Sequence, residues 1–208
     1  LSHSARRGKH VALRTGRMVA RKRSNPDDDI MPFKIRPTEP RDEEAVAALL
    51  QTSYGALLKD AYDEAVLRKA LPLLTRPRPE LLSSGRYYIA EFAGVGAAGC
   101  GGWSFEAPDR PDMPVDPTVG HLRQFATHPD AVRQGVGACL LEKCVAEAKA
   151  QGVRRLECVS TRQAIPFYAA LGLRVVGPVP CRLAQGVTLP GVAMVLELDE
   201  ASGGHGVQ

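Results

Sequence analysis

The sequence predicts an α/β (α+β) fold, a mixed sheet with helices on its faces, and three observations carry that expectation. Short runs rich in β-branched and aromatic residues alternate with stretches of helical periodicity along the chain. One long amphipathic stretch, Val136–Ala150, lies between two strand-like runs at 121–127 and 155–159. With 208 residues, 44% of them hydrophobic and 24% charged, the chain has material for one domain with its own core. No apolar run approaches the roughly 18 residues of a membrane span, so the membrane-spanning helical class is excluded.

Residues 1–30 read as a tail. Eight bases (Arg6, Arg7, Lys9, Arg14, Arg17, Arg21, Lys22, Arg23) face three acids (Asp27, Asp28, Asp29), with no long apolar stripe among them. That surplus exceeds the net charge of +4, so the rest of the chain is nearly neutral and carries no footprint of a nucleic-acid-binding domain. Three accounts of the tail compete: an upstream extension before a natural start at Met31-Pro32-Phe33, an Arg-rich targeting segment, and a polyanion-binding arm. The first is favoured.

The domain proper is expected over 31–200, followed by a C-terminal tail at 201–208. A short strand is expected at 33–36, and Pro37-Thr38-Glu39-Pro40-Arg41-Asp42 then supplies turn and helix-start residues. Ala45, Val46, Ala48, Leu49 and Leu50 follow at near-helical spacing. A second helix over 62–71 is stopped by Pro72. Beyond the proline-rich stretch 75–80, residues 87–92 read as a strand.

Gly94-Val95-Gly96-Ala97-Ala98-Gly99 spells the G-x-G-x-x-G of dinucleotide-binding turns. Such a turn must open a helix, whereas Cys100-Gly101-Gly102-Trp103-Ser104-Phe105 reads as extended. A hairpin is expected instead, with its turn near 93–96 and a returning strand to 105. Residues 106–118, rich in Pro and Asp, form a loop.

In the helix Val136–Ala150, the side chains of Val136, Leu140, Leu141, Cys144, Val145 and Ala148 lie on one stripe, while Glu142, Lys143, Glu147 and Lys149 face water and Gly152 ends the helix. After the strand at 155–159, a short helix over 164–171 tolerates Pro166 in its first turn and closes on Gly172. Two final strands are expected at 174–176 and 192–198. The five cysteines (Cys100, Cys139, Cys144, Cys158, Cys181) lack paired spacing, and read as buried thiols of a reducing cytoplasm, with no metal site.

The chemistry concentrates in Thr127-His128-Pro129-Asp130-Ala131-Val132-Arg133-Gln134-Gly135-Val136-Gly137-Ala138, a strand end, a turn and a glycine-bearing helix start. A helix start exposes unpaired amides beside the positive end of its dipole, which favours an anion. Gly135 and Gly137 let a phosphate approach the backbone, and Arg133 adds a charge-assisted contact. Glycines at such a place also serve helix packing, so the spelling alone leaves both readings open.

In these residues the chain resembles the GNAT superfamily. Val132-Arg133-Gln134-Gly135-Val136-Gly137 matches both glycines of its diphosphate motif, Gln/Arg-x-x-Gly-x-Gly/Ala. It departs at Val132, leaving Arg133 or Gln134 to supply the side-chain contact. Ala164-Ile165-Pro166-Phe167-Tyr168-Ala169-Ala170-Leu171-Gly172-Leu173 is similar to the family's late signature. The matched core spans 120–176, and 33–105 agree only in element order.

The resemblance implies a mostly antiparallel central sheet of six to seven strands with helices on both faces. It implies an N-acetyltransferase that moves an acetyl group from acetyl-CoA to a small-molecule or peptide amine, with no metal, nucleic-acid or membrane partner; a homodimer is compatible with it. A non-catalytic acyl-CoA sensor is the alternative on the same fold. The backbone of Phe125, Ala126 and Thr127 is implied to hold the pantetheine and thioester, and residues 133–138 (Arg133, Gln134, Gly135, Val136, Gly137, Ala138) the diphosphate. Tyr168 is the implied general acid. For the general base, Glu157, His121 and a water chain compete. Tyr54, Tyr62, Trp103 and Glu106 are candidate acceptor walls, with core packing the competing role for the aromatics.

Overall fold

The computed structural model describes residues 33–93, 96–108, 110, 112–183 and 186–198. The expected tails at 1–30 and 201–208, and the hairpin tip at 94–95, lie outside the described residues. Seven strands form one sheet: β1 (Phe33–Pro37), β2 (Tyr87–Phe92), β3 (Gly96–Ser104), β4 (Val119–Thr127), β5 (Arg155–Ser160), β6 (Arg174–Arg182) and β7 (Thr188–Glu197). Their order is β1-β2-β3-β4-β5-β7-β6, and only β4 and β5 run parallel. A parallel pair needs a crossover, which α1 to α3 precede and α4 (Val136–Ala150) supplies.

Strand periodicity sorts the core onto two faces. Tyr88 and Ala90 join Trp103, Leu140, Leu141 and Leu156 under α4 and α5 (Ile165–Ala170). Tyr87 and Ile89 point the other way, onto Val46, Leu49 and Leu50 of α1 (Glu43–Leu57) and Leu81 and Leu82 of α3 (Pro79–Leu82). A third cluster ties α2 (Glu64–Leu74) to β7 through Leu67, Ala70 and Leu189. The returning strand β3 continues extended through Cys100, so the glycine-rich G-x-G-x-x-G spelling opens no helix.

The feature that positions the site is a failure of pairing. β4 pairs with β5 only at Val119, Gly120 and His121, opposite Arg155, Leu156 and Glu157. Beyond them Gln124 adopts φ 43°, and the β3–β4 register shifts between Cys100 and Gly102. This bulge re-aims β4 and leaves a gap beside β5, which stays paired to β7 through Ser160. The Gln124 side chain secures the bend by donating to the Leu74 and Arg76 carbonyls at 3.1 and 3.0 Å.

Several expectations need correction. α2 runs through Pro72 to Leu74, because the exposed proline sits in the last turns and forfeits only one ladder bond. β6 and β7 are longer than expected, since Pro178 and Pro180 lie on the edge strand of the sheet and Pro190 lies beyond the part of β7 that pairs with β5. Glu147 does not simply face water: its carboxylate accepts from the Tyr88 hydroxyl and from Trp103 Nε1, the latter at 3.2 Å. Of the five cysteines, Cys139 and Cys181 are only half-buried.

Candidate active site

The turn before α4 is built by its own side chains. His128 Nδ1 accepts from the Asp130 amide at 3.3 Å, and Gln134 donates to the Asp130 carbonyl at 2.7 Å. Gln134 is therefore engaged in holding the turn. Arg133 and Gly135 are both left-handed, at φ 65° and 84°. No side chain caps α4 at Gly135, and no acidic residue lies in its first turn. A start of this kind presents backbone donors and partial positive charge with nothing anionic to compete for them.

The two glycines are needed for different reasons. A Cβ on Gly135 would meet nothing within 4 Å, so glycine serves the left-handed backbone there and open space lies in front of it. A Cβ on Gly137 would lie 2.9 Å from the Phe167 ring, so that glycine is required by the packing of α5 on α4 rather than by phosphate clearance. Val136 is buried and packs against Gly99, so only its amide is left for a ligand.

Between the diverging strands runs a cavity of about 320 Å³. Phe125, Ala126 and Thr127 of β4, Gly137 of α4, Tyr54 of α1 and Tyr168 of α5 all line it, whereas Arg133, Gln134, Gly135, Val136 and Ala138 do not. Tyr54 donates to the Phe125 carbonyl at 3.1 Å and so stiffens the β4 wall. Sequence reasoning missed Ser53, Cys158, Ser160 and Thr161, which also line it. The Ser53 hydroxyl is buried and has no hydrogen-bond partner among the described residues.

Tyr168 packs edge-on against Phe125 and Phe167, with centroids 6.2 and 5.0 Å away. Burial, reinforced by Cys158 and Tyr54, pushes its phenol well above the ordinary value. Tyr168 is thus a protonated donor at any physiological pH. Burial also pushes the neighbouring Cys158 thiol up to about 12, a gauge of what this wall does to sulfur.

His121 and Glu157 lie in a second cavity of about 490 Å³, which shares Leu122, Cys158 and Val159 with the first. Glu157 pairs with Arg155 at 2.9 Å, and His121 Nδ1 stands 3.9 Å from its carboxylate. Three expected wall residues are placed elsewhere. Trp103 is fully buried under α4 because its indole serves Glu147, and Tyr62 donates to the Pro190 carbonyl at 2.8 Å, tying the α1–α2 connection to β7. Glu106 is exposed and uses its carbonyl to accept from Ser104 and Arg123. Among the described residues no group of three or more His, Cys, Asp or Glu side chains could hold a metal ion, and no helix is long and apolar enough to cross a membrane.

The order of strands, the splayed β4–β5 pair and the open helix start together define an acyltransferase-type fold. The acetyltransferase (GNAT) family model matches residues 44–173, and the chain belongs to that family. In fold it is similar to a GCN5-related N-acetyltransferase from Rhodopseudomonas palustris, with 23% identity and a TM-score of 0.63 over 79% of this chain and 94% of that one. It is similar to the PaiA N-acetyltransferase of Thermoplasma acidophilum in complex with coenzyme A, at 16% identity and TM-score 0.61 over 80% and 99% of the two chains. The putative acetyltransferase YncA of Salmonella typhimurium with acetyl-CoA is a further likeness, at 20% identity and TM-score 0.53 over 84% and 99%. No curated protein sequence matches the chain.

Proposed function

We propose that the protein is an N-acetyltransferase that moves an acetyl group from acetyl-CoA to a primary amine of a small molecule or peptide, by direct attack with both substrates bound. The observation that carries this reading is the cavity in the β4–β5 gap, lined at once by Gly137 in the first turn of α4 and by Tyr168.

The residues present fit coenzyme A on three counts. The uncapped, acid-free start of α4, with Arg133 beside it, suits a diphosphate. The bulged β4 offers a backbone edge with no β5 partner beyond His121, suited to an amide-bearing arm. The orphan Ser53 hydroxyl in the cavity wall gains a partner when a polar ligand fills the gap. Acetyl-CoA supplies an acyl group activated as a thioester.

The chain's own residues then have separable tasks. The β4 wall and the Tyr54–Phe125 bond orient the reacting groups, and Phe125, Phe167 and Leu122 limit water around them. The acceptor nitrogen bonds to the acyl carbon as the carbon–sulfur bond breaks, and its surplus proton passes toward Glu157 or His121. The Tyr168 hydroxyl gives its proton to the departing sulfur, and the phenolate left behind is restored by the proton that left the nitrogen. Calorimetric titration with acetyl-CoA tests the reading: wild type and Gly135→Asn, whose side chain tolerates the left-handed backbone, bind the ligand. Gly135→Glu does not, because it places an anion at the helix start. Undiminished affinity of Gly135→Glu contradicts the assignment.

A further inference from the structure

We propose that Tyr87 is a positioning residue for acetyl transfer: from inside the core it fixes the peptide group whose amide, that of Phe125, donates to the acyl oxygen of the thioester. The inference deepens the acetyl-transfer reading and rests on it. Tyr87 is fully buried on β2 among Leu49, Leu50 and Leu82, and it does not line the gap between β4 and β5. Its hydroxyl nevertheless reaches β4, where it donates to the Gln124 carbonyl at 2.9 Å and stands 3.3 Å from Cys100 Sγ.

β3 lies between these two strands, and glycine opens the way across it. A Cβ on Gly102 would lie 2.7 Å from the Tyr87 ring and 2.6 Å from its Cα, so the phenol crosses β3 over a residue without a side chain. On the opposite face a Cβ on Gly101 would lie 2.7 Å from the Phe125 ring. The extended run Cys100-Gly101-Gly102-Trp103 thus clears one aromatic ring on each side of the sheet.

What the phenol holds is the bulge. The β3–β4 register passes over Gln124 and Phe125, so neither has a partner residue across β3 among the described residues. In a trans peptide the carbonyl and the following N–H point in opposite directions, and no cis peptide occurs among the described residues. Tyr87 holds the Gln124 carbonyl toward β3 and the α1 face, so the Phe125 N–H is turned the other way, toward β5 and the gap that Phe125 lines. The next peptide is fixed as well, because Tyr54 donates to the Phe125 carbonyl at 3.1 Å. An amide held on both flanks is a preorganised donor, and a hydrogen bond to its carbonyl end strengthens its N–H end. Such a donor acts where negative charge gathers on the acyl oxygen as the amine attacks.

The test reads the acyl carbonyl directly, by isotope-edited infrared spectroscopy of acetyl-CoA labelled at the acetyl carbonyl carbon, free and bound to the protein. In wild type the bound carbonyl band is expected at lower frequency than the free one. Tyr87→Phe, which keeps the ring and removes the hydroxyl, is expected to return the band toward the free position and to lower kcat by about tenfold, with KM for acetyl-CoA within about twofold. Tyr88→Phe is the control: it removes a hydroxyl from Glu147 on the α4 side, and band and kcat are expected to stay at wild-type values. A ring-fluorinated tyrosine at position 87, a stronger donor of nearly the same shape, is expected to move the band further from the free position, and it serves where Tyr87→Phe does not fold. A wild-type band at the free position, a band that neither change at Tyr87 moves, a kcat that Tyr87→Phe leaves unchanged, or an equal effect of Tyr88→Phe overturns the proposal and leaves acetyl transfer standing. Wild-type protein that does not bind acetyl-CoA overturns the transfer reading, and this inference with it.

Discussion

Tyr168 and Cys158 face one cavity, and burial acts on both in the same direction. A phenol held well above its usual value looks a poor acid in isolation. In the proposed transfer, however, the sulfur it would protonate is released into the same surroundings that hold the Cys158 thiol up to about 12, so the two basicities rise together and the transfer is not penalised by burial alone. Neighbouring thiols should be inert for the same reason: at about pH 8, where a free thiol near 8.5 is partly ionised, Cys100, Cys144 and Cys158 should react with a thiol reagent far more slowly than in denaturant. Prompt labelling of three or more thiols in the native protein contradicts that burial. At this scale the motif spelling singled out Gly135, whose left-handed backbone restricts the residue type, and Gly137, whose restriction comes instead from the Phe167 ring. It did not distinguish Tyr54, which lines the cavity, from Trp103, which is core, since an aromatic residue suits either side of a wall. Ser53 carried no signal at all, being one small polar residue on a helix.

Among elements, the contact of α4 with α5 aligns the helix start with the tyrosine. Gly137 faces the Phe167 ring one position before Tyr168, so the added methyl of Gly137→Ala must push α5 away or tilt its ring. The expected cost is about 1–3 kcal/mol in denaturant unfolding, accompanied by a weaker hold on acetyl-CoA. Unchanged stability and affinity mean the two helices are less tightly coupled than this contact requires. The bounds of α4 were legible to the residue because its apolar stripe is regular and Gly152 follows it. The bulge at Gln124 was not, for glutamine rarely adopts positive φ and is held there only by bonds to Leu74 and Arg76, some fifty residues away. The lengths of β6 and β7 were obscured by prolines whose tolerance depends on the edge position of β6, a fact of topology rather than of local sequence.

For the molecule as a whole, buried weak acids set the response to alkali. Burial raises Cys100 and Cys158 to about 12 and raises Cys144, Tyr54, Tyr87 and Tyr168 as well. Unfolded, these groups ionise near 8.5 for thiols and near 10 for phenols, so the unfolded chain loses protons first and is favoured as pH rises. Their contribution is fully present below about pH 8 and is lost as pH climbs toward the folded values. Scanning calorimetry should show Tm level from neutral to about pH 8, then falling steadily; a rising Tm above that point contradicts the burial of these groups. The sheet with helices on both faces was legible from alternation and periodicity, whereas the gap between β4 and β5 depends on a register that no local pattern records.

Acetyl transfer as proposed needs the Tyr168 hydroxyl to stand in the cavity as proton donor to the leaving sulfur. Tyr168→Phe tests it, because that hydroxyl has no hydrogen-bond partner among the described residues and its removal leaves the packing on Phe125 and Phe167 intact. Acetyl-CoA affinity and kcat, measured together on one preparation, should show affinity unchanged within about twofold and kcat lower by roughly 10²–10⁴. A kcat equal to that of wild type, with affinity equally unchanged, contradicts it.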